Sequence, residues 1–362
     1  MAGFRSSNGY LGFERQIDQT TDTAPTTFLR LAAADSLEQV QDVIEDRTLN
    51  SDREIDAIYK VAHKPGGSFQ TYARPGLGAQ LLAYALGADS VTVGSVYTHT
   101  ITRANTIPWL TIERQLDNIE RFIGCKINQI VISGNSGQPV LMDISFMACD
   151  SEIQSSAASA SYQTDEPFMF HDGTYTLDSG AITTISAFTI TINNNLELIQ
   201  TTSFKPNDIL EGPFDVESTM RLKFVSGDAL YPKVLFGAST ALVDTLASGD
   251  FTIDLSYGTG ASARELRFEI PALKHLSIAK HLDPVTKAVY LDLRSKPVKS
   301  TSEIITVIAK NSISEDWVSP SATPSPSSSV SPSKSPSASA SPSLSPSASL
   351  SPSSSASPSG EG

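Results

Sequence analysis

Apolar and polar residues alternate along much of the chain. Phe188, Ile190 and Ile192 interleave with Thr189, Thr191 and Asn193, and Phe251, Ile253 and Leu255 with Thr252, Asp254 and Ser256. Leu266, Phe268 and Ile270 interleave with Glu265, Arg267 and Glu269, while Val140, Met142, Ile144 and Phe146 face away from Asp143 and Ser145. Period two with one wet face predicts antiparallel strands that lay one side on a core. One helix is predicted over Leu77 to Leu86, opened by Pro75-Gly76 and stopped by Gly87. Asp35 to Arg47 is ambiguous: Leu37, Val40 and Ile44 suit a helix, but the segment is short and polar. The expected class is mainly β.

The same order of signals occurs twice. Gly67-Ser68-Phe69 leads through an apolar segment to Leu86-Gly87, a strand at Trp109 to Glu113 and a hairpin from Lys126 to Asp150. Gly212-Pro213-Phe214 leads to Phe236-Gly237, a strand at Phe251 to Ser256 and a hairpin from Glu265 to Arg294. Order and spacing repeat more than identities do. The small, polar run Ser151 to Gln163 reads as a linker. The expected organisation is therefore a first β domain over 1–150, a linker over 151–163, a second β domain over 164–318 and a tail over 319–362.

Composition sharpens this picture. From Ser319 onward the chain is almost wholly Ser, Pro and Ala, too poor in large apolar residues to offset ordering entropy. A disordered spacer or brush, or a dispensable repeat expansion, is expected there. The formal net charge of −13 belongs to the rest of the chain, because Lys334 and Glu361 cancel within the tail. An acidic body argues against gripping nucleic acid, which requires clustered Lys and Arg. The opening MAGFRSSNGYLGFERQ lacks an apolar signal region, and no run has the length of a membrane span, so synthesis in a cytoplasm is expected. Cys125 and Cys149 then read as two buried thiols, with a disulfide left open.

Candidate chemistry is sparse. Ser133-Gly134-Asn135-Ser136-Gly137-Gln138-Pro139 resembles the nucleophile loop of trypsin-like proteases, which needs a His base backed by an Asp. His63 and His99 lie too close upstream for that fold, and Gly and Asn between apolar strands suit a hairpin turn. The histidines, His63, His99, His171, His275 and His281, fall in no metal-ligand spacing. No carboxylate pair stands out as an acid–base couple, and Gly258-Thr259-Gly260 lacks the Lys-Ser/Thr of a phosphate loop. No catalytic, cofactor-binding or metal residue is assigned, and no enzyme activity is expected.

An ordered succession of short motifs carries more information. Tyr10-Leu11-Gly12-Phe13-Glu14, Phe28-Leu29-Arg30-Leu31, Asp35-Ser36-Leu37 and Asn50-Ser51-Asp52-Arg53-Glu54 are followed by Gly67-Ser68-Phe69 and Tyr97-Thr98-His99-Thr100. Ile107-Pro108-Trp109-Leu110-Thr111-Ile112-Glu113-Arg114 comes next, and the second half adds Phe188-Thr189-Ile190-Thr191-Ile192-Asn193-Asn194-Asn195-Leu196-Glu197. From about Gly9 to Asn311 this succession resembles the phage tail tube protein family of long-tailed phages. The resemblance implies duplicated antiparallel β-sandwich or barrel tube domains, each with a short flanking helix. It implies a structural virion protein that polymerises into stacked rings forming a channel for genome delivery, and the duplication makes three chains per ring the expected number. Partners would be other copies of the chain, a tape measure and a tail terminator, with DNA passing an acidic lumen without specific binding. The alternatives are a surface-displayed adhesin or decoration protein on a Ser/Pro stalk, disfavoured by the missing signal, and a tail or capsid hydrolase.

Overall fold

The computed structural model describes residues 9–47, 55, 57–225, 229–237, 242–282, 288–299 and 303–319. The Ser/Pro tail beyond residue 319 and the motif Asn50 to Glu54 lie outside the described residues. In chain order the first half holds β1 (Tyr10–Arg15), β2 (Thr27–Phe28), β3 (Glu38–Asp46), β4 (Ala57–Tyr72), α1 (Leu77–Leu86), β5 (Gly87–Val93), β6 (Tyr97–Arg103), β7 (Leu110–Gln115), β8 (Ile119–Asn135) and β9 (Leu141–Gln154). The second half holds β10 (Gly173–Leu177), β11 (Gly180–Ala181), β12 (Ile185–Asn193), β13 (Glu197–Ile199), β14 (Asp208–Leu210), β15 (Asp215–Lys223) and α2 (Leu230–Phe236). It closes with β16 (Ser248–Tyr257), β17 (Arg264–Leu282), β18 (Val289–Pro297) and β19 (Thr306–Asn311). The class is mainly β, as the alternation predicts. All strands except the β13–β14 hairpin join one antiparallel sheet.

The structure resolves one ambiguous segment and moves one expected boundary. Asp35 to Arg47 contains no helix: Glu38–Asp46 is strand β3, hydrogen-bonded along β4. Val40, Val43 and Ile44 have helical spacing but all stay exposed, so no core takes up that stripe and pairing with β4 decides the conformation. The linker expected from Ser151 starts inside β9, which runs on to Gln154 because its end pairs with the beginning of β8. The described residues group as one compact unit.

One pairing scheme runs twice. The hydrogen-bonded order β1–β7–β8–β9–β4–β3 is matched by β10–β16–β17–β18–β15–β12. The longest strand of each series carries a bulge at an equivalent place, between Ile127 and Gln129 in β8 and between His275 and Ser277 in β17. Such a bulge turns the strand and lets its two ends serve different neighbours. Thus β8 pairs with β7 before its bulge and with β12 after it. The series are joined by β8–β12 and again by β6–β19, so neither half is a free-standing sheet.

The sheet encloses α1, which packs on β8, β5, β6 and β19 with all ten residues buried. Its sequence, LGAQLLAYAL, is apolar all round except at Gln80, which donates to the Tyr84 hydroxyl, and this suits a helix surrounded by core. Gly87 ends it with φ +91°, donating its N–H to the Ala83 carbonyl. A Cβ there would lie 2.6 Å from the Thr106 carbonyl oxygen, so only glycine closes this end. Its counterpart α2 follows β15 and buries only Val234 completely.

Buried tyrosines give the fold an alkaline limit. Burial, aided by a hydrogen bond to Glu113, pushes the Tyr10 hydroxyl up to about 12, and burial also raises Tyr84 and Tyr175. In an unfolded chain a tyrosine titrates near 10. These groups therefore support folding fully below about pH 10, and the support is lost as pH rises toward their folded values. The melting temperature should hold level from pH 8 to about 9.5 and fall steeply above 10, with a shallower fall in Tyr10→Phe. Thermal melts across that range check it, and a flat profile to pH 11.5 would contradict it.

Candidate assembly surfaces

The duplicated scheme places its polar residues on one continuous face. Across β4, β9, β8, β12, β15, β18 and β17, cross-strand partners form rows. One row reads Tyr72, Leu141, Ser133, Thr189, Thr219, Arg294, Ser277; another reads Asn135, Ala187, Arg221, Asp292, Ala279. Gln70, Asp143, Val131, Thr191 and Glu217 form a third. The opposite face of the same strands is core, with Ile144, Ile132, Ile190, Met220 and Leu293 all nearly inaccessible. Hydroxyls and small side chains dominate the wet side, as alternation requires of a sheet with one wet face.

The charges on this face are mostly closed into pairs. Arg294 donates from Nε and Nη2 to Glu217 at 2.5 and 2.7 Å, Lys296 lies 2.8 Å from Asp215, and Arg221 lies 3.4 Å from Asp292. Asp143 and Lys223 have no ionic partner among the described residues. The bonds from Arg294 hold the Glu217 carboxyl below the usual carboxylate range. The acidity of the whole chain is thus not concentrated here; the face is close to neutral.

Two edges of the face remain unpaired among the described residues. At one end β3 pairs only with β4. At the other, the end of β17 pairs only with β18 beyond Ser277. Unpaired edges expose rows of N–H and C=O groups that template another strand. The β3–β4 arm is also apolar on both of its faces. Ile44 opposes Tyr59 on one side, while Val43 and Ile58 lie on the other, and all four are more than half exposed. Large apolar residues on both sides of one hairpin suit a segment that a neighbour wraps.

The residues weighed as catalytic are dispersed. Ser136 sits exposed in the turn between β8 and β9, its backbone N–H donating to the Ser186 carbonyl. His63 instead bonds Ser151 at 2.9 Å, and His99 bonds Asp89 and the Ile313 carbonyl while stacking on Trp317. His171 is exposed beside Asp172 and His281 lies 3.4 Å from Asp292. His275 pairs with Ser295 at 2.8 Å and lies 3.8 Å from Asp178, a triad-like order that sequence reading missed because its members are far apart in the chain. That site is closed: His275 and Ser295 are buried, and 3.8 Å is too long for a hydrogen bond. Burial also pushes the His275 imidazole toward its neutral form. No trio of His, Cys, Asp or Glu among the described residues could hold a metal ion. Cys125 and Cys149 are both free thiols and both buried.

A model of the phage tail tube protein family matches residues 6–306, most of the chain and nearly all of its described part. The chain belongs to the phage tail tube protein family. No curated protein gives a significant match. Membership makes the chain a structural protein of the phage tail tube, a component of the virion rather than a member of an enzyme family. No helix among the described residues is long and apolar enough to cross a membrane.

Proposed function

We propose that the chain polymerises into rings that stack as the tail tube, with the polar face of β4, β9, β8, β12, β15, β18 and β17 lining the channel for genome delivery. The observation that carries this reading is one wide sheet with a polar face, a core on its other side and an unpaired edge at each end. Edges of that kind are satisfied when copies close into a ring. A lining of hydroxyls and closed ion pairs offers phosphates few free cations, so DNA slides without the counterion release that drives binding. Weak repulsion and low adhesion, rather than a strongly acidic wall, would keep the genome moving.

On this reading each chain carries two tube domains, the first ending with β9 at Gln154 and the second over 164–318, and three chains give a ring with pseudo-six-fold symmetry. Tape-measure and terminator proteins would then meet the channel and the tube end. Purified protein at high concentration should give stacked rings in electron micrographs, and a cryo-electron map should hold three chains per ring. Six chains per ring would overturn the trimer, and protein that stays monomeric within intact particles would overturn the tube.

A further inference from the structure

We infer that a second copy of the chain adds the edge segment running from Asp35 through Val40 antiparallel to the free edge of β17, in a register already present inside the chain at β12–β8. This inference rests on the tube reading and supplies its interface. In the internal joint, Thr189 opposes Ser133, Thr191 opposes Val131 and Asn193 opposes Gln129. Each member has a counterpart in the other series. Gln129 and Ser277 are the first residues after the bulges of β8 and β17, opposing Ser145 and Arg294. Ser145 and Arg294 in turn oppose Ser68 and Thr219, which makes β4 the equivalent of β15 in that register.

The strand next outward completes the match. Thr219 opposes Thr189, and Ser68 accepts the Ser36 N–H at 2.9 Å on its carbonyl, so Ser36 takes the place of Thr189. The Ser36 and Ser68 hydroxyls are 2.9 Å apart on the polar face. Leu37, buried at 4% exposure, takes the place of the core residue Ile190, buried at 0%. Carrying the internal joint over to these equivalents sets Ser36 against His281, Glu38 against Ala279 and Val40 against Ser277. Both partners have open edges among the described residues, whereas their equivalents β12 and β8 are already joined to each other.

Side-chain chemistry agrees with that register. Glu38, exposed and without an ionic partner among the described residues, falls diagonal to His281 on the same face, within reach of a carboxylate–imidazole contact. Ala279 directly opposite leaves room for it. The Ser36 N–H already points to β4, so Ser36 meets the new strand at a non-hydrogen-bonded position. Antiparallel partners there stand about 4.5 Å apart at Cα, within the span that a disulfide bridges.

A double-cysteine experiment on the full chain tests the register. Ser36→Cys/His281→Cys and Val40→Cys/Ser277→Cys place thiols on opposed residues, while Ser36→Cys/Ser277→Cys offsets them by about 13 Å. Native thiols add little background, since burial pushes Cys149 up to about 11 and Cys125 higher than its ordinary value. Mild oxidation of concentrated protein should link chains in both opposed variants, at least tenfold more than in the offset variant or in either single variant. Tubes that form without linkage, or with equal linkage in the offset variant, overturn the register and leave the tube reading standing. Variants and parent that neither link nor form tubes at any concentration overturn both.

Discussion

Ile44→Asp/Tyr59→Asp should abolish tube formation while leaving the subunit folded. The two side chains face each other across the β3–β4 arm at 57% exposure each, so the isolated chain gives up little by the exchange. Surface substitutions of this kind usually change stability by less than about 0.5 kcal/mol. Covered by a neighbour, each side chain would contribute roughly 1.5–3 kcal/mol of apolar burial. Losing both removes about 3–6 kcal/mol per contact, which raises the concentration needed for assembly by roughly 10² to 10⁴. Sedimentation and electron microscopy read assembly, and thermal melts read the fold. Tubes forming at the parent's concentration would show that the arm is not an assembly element.

Arg121→Leu carries the largest expected cost to the fold itself. Glu113 is fully buried, and Arg121 donates to its Oε2 from Nε at 2.7 Å and from Nη2 at 2.6 Å. The Tyr10 hydroxyl donates to the other carboxylate oxygen, tying β1, β7 and β8 together through one side chain. Removing Arg121 leaves the carboxylate buried without its counter-charge, a loss of about 3–5 kcal/mol. The double variant Glu113→Leu/Arg121→Leu should recover much of that loss, since no buried charge is left. Chemical denaturation of the two variants decides the matter. Equal stability of Arg121→Leu and the parent would mean that the pair is solvated in solution.

Repeated local patterns were readable from sequence because they need only neighbours in the chain. Alternation around Phe188, Phe251 and Phe268 specifies strands whose apolar side must be buried, and these residues are core. The apolar run from Leu77 to Leu86 between Pro75-Gly76 and Gly87 specifies a buried helix with a glycine end, and α1 spans those residues. The tight turn at Ser136 likewise follows from the glycines around it.

Tertiary structure decided what depends on distant partners. Leu37, Val40 and Ile44 have helix-like spacing, yet β3 is a strand because β4 supplies its hydrogen bonds. Gly67, at φ +151°, leaves room for that pairing: a Cβ there would stand 2.6 Å from the Leu37 Cα. Glu113 and Arg121 are eight residues apart on separate strands, and only the fold seals them into a pair. The polar face was invisible for the same reason. Each strand announces which of its sides is wet, but only the register of β8 on β12 and of β15 on β18 aligns those sides into one surface. The chain alone thus determined the alternating strands and the buried helix, since side-chain periodicity is local. Non-local hydrogen bonding decided which strands meet, which edges stay open and which charges are buried.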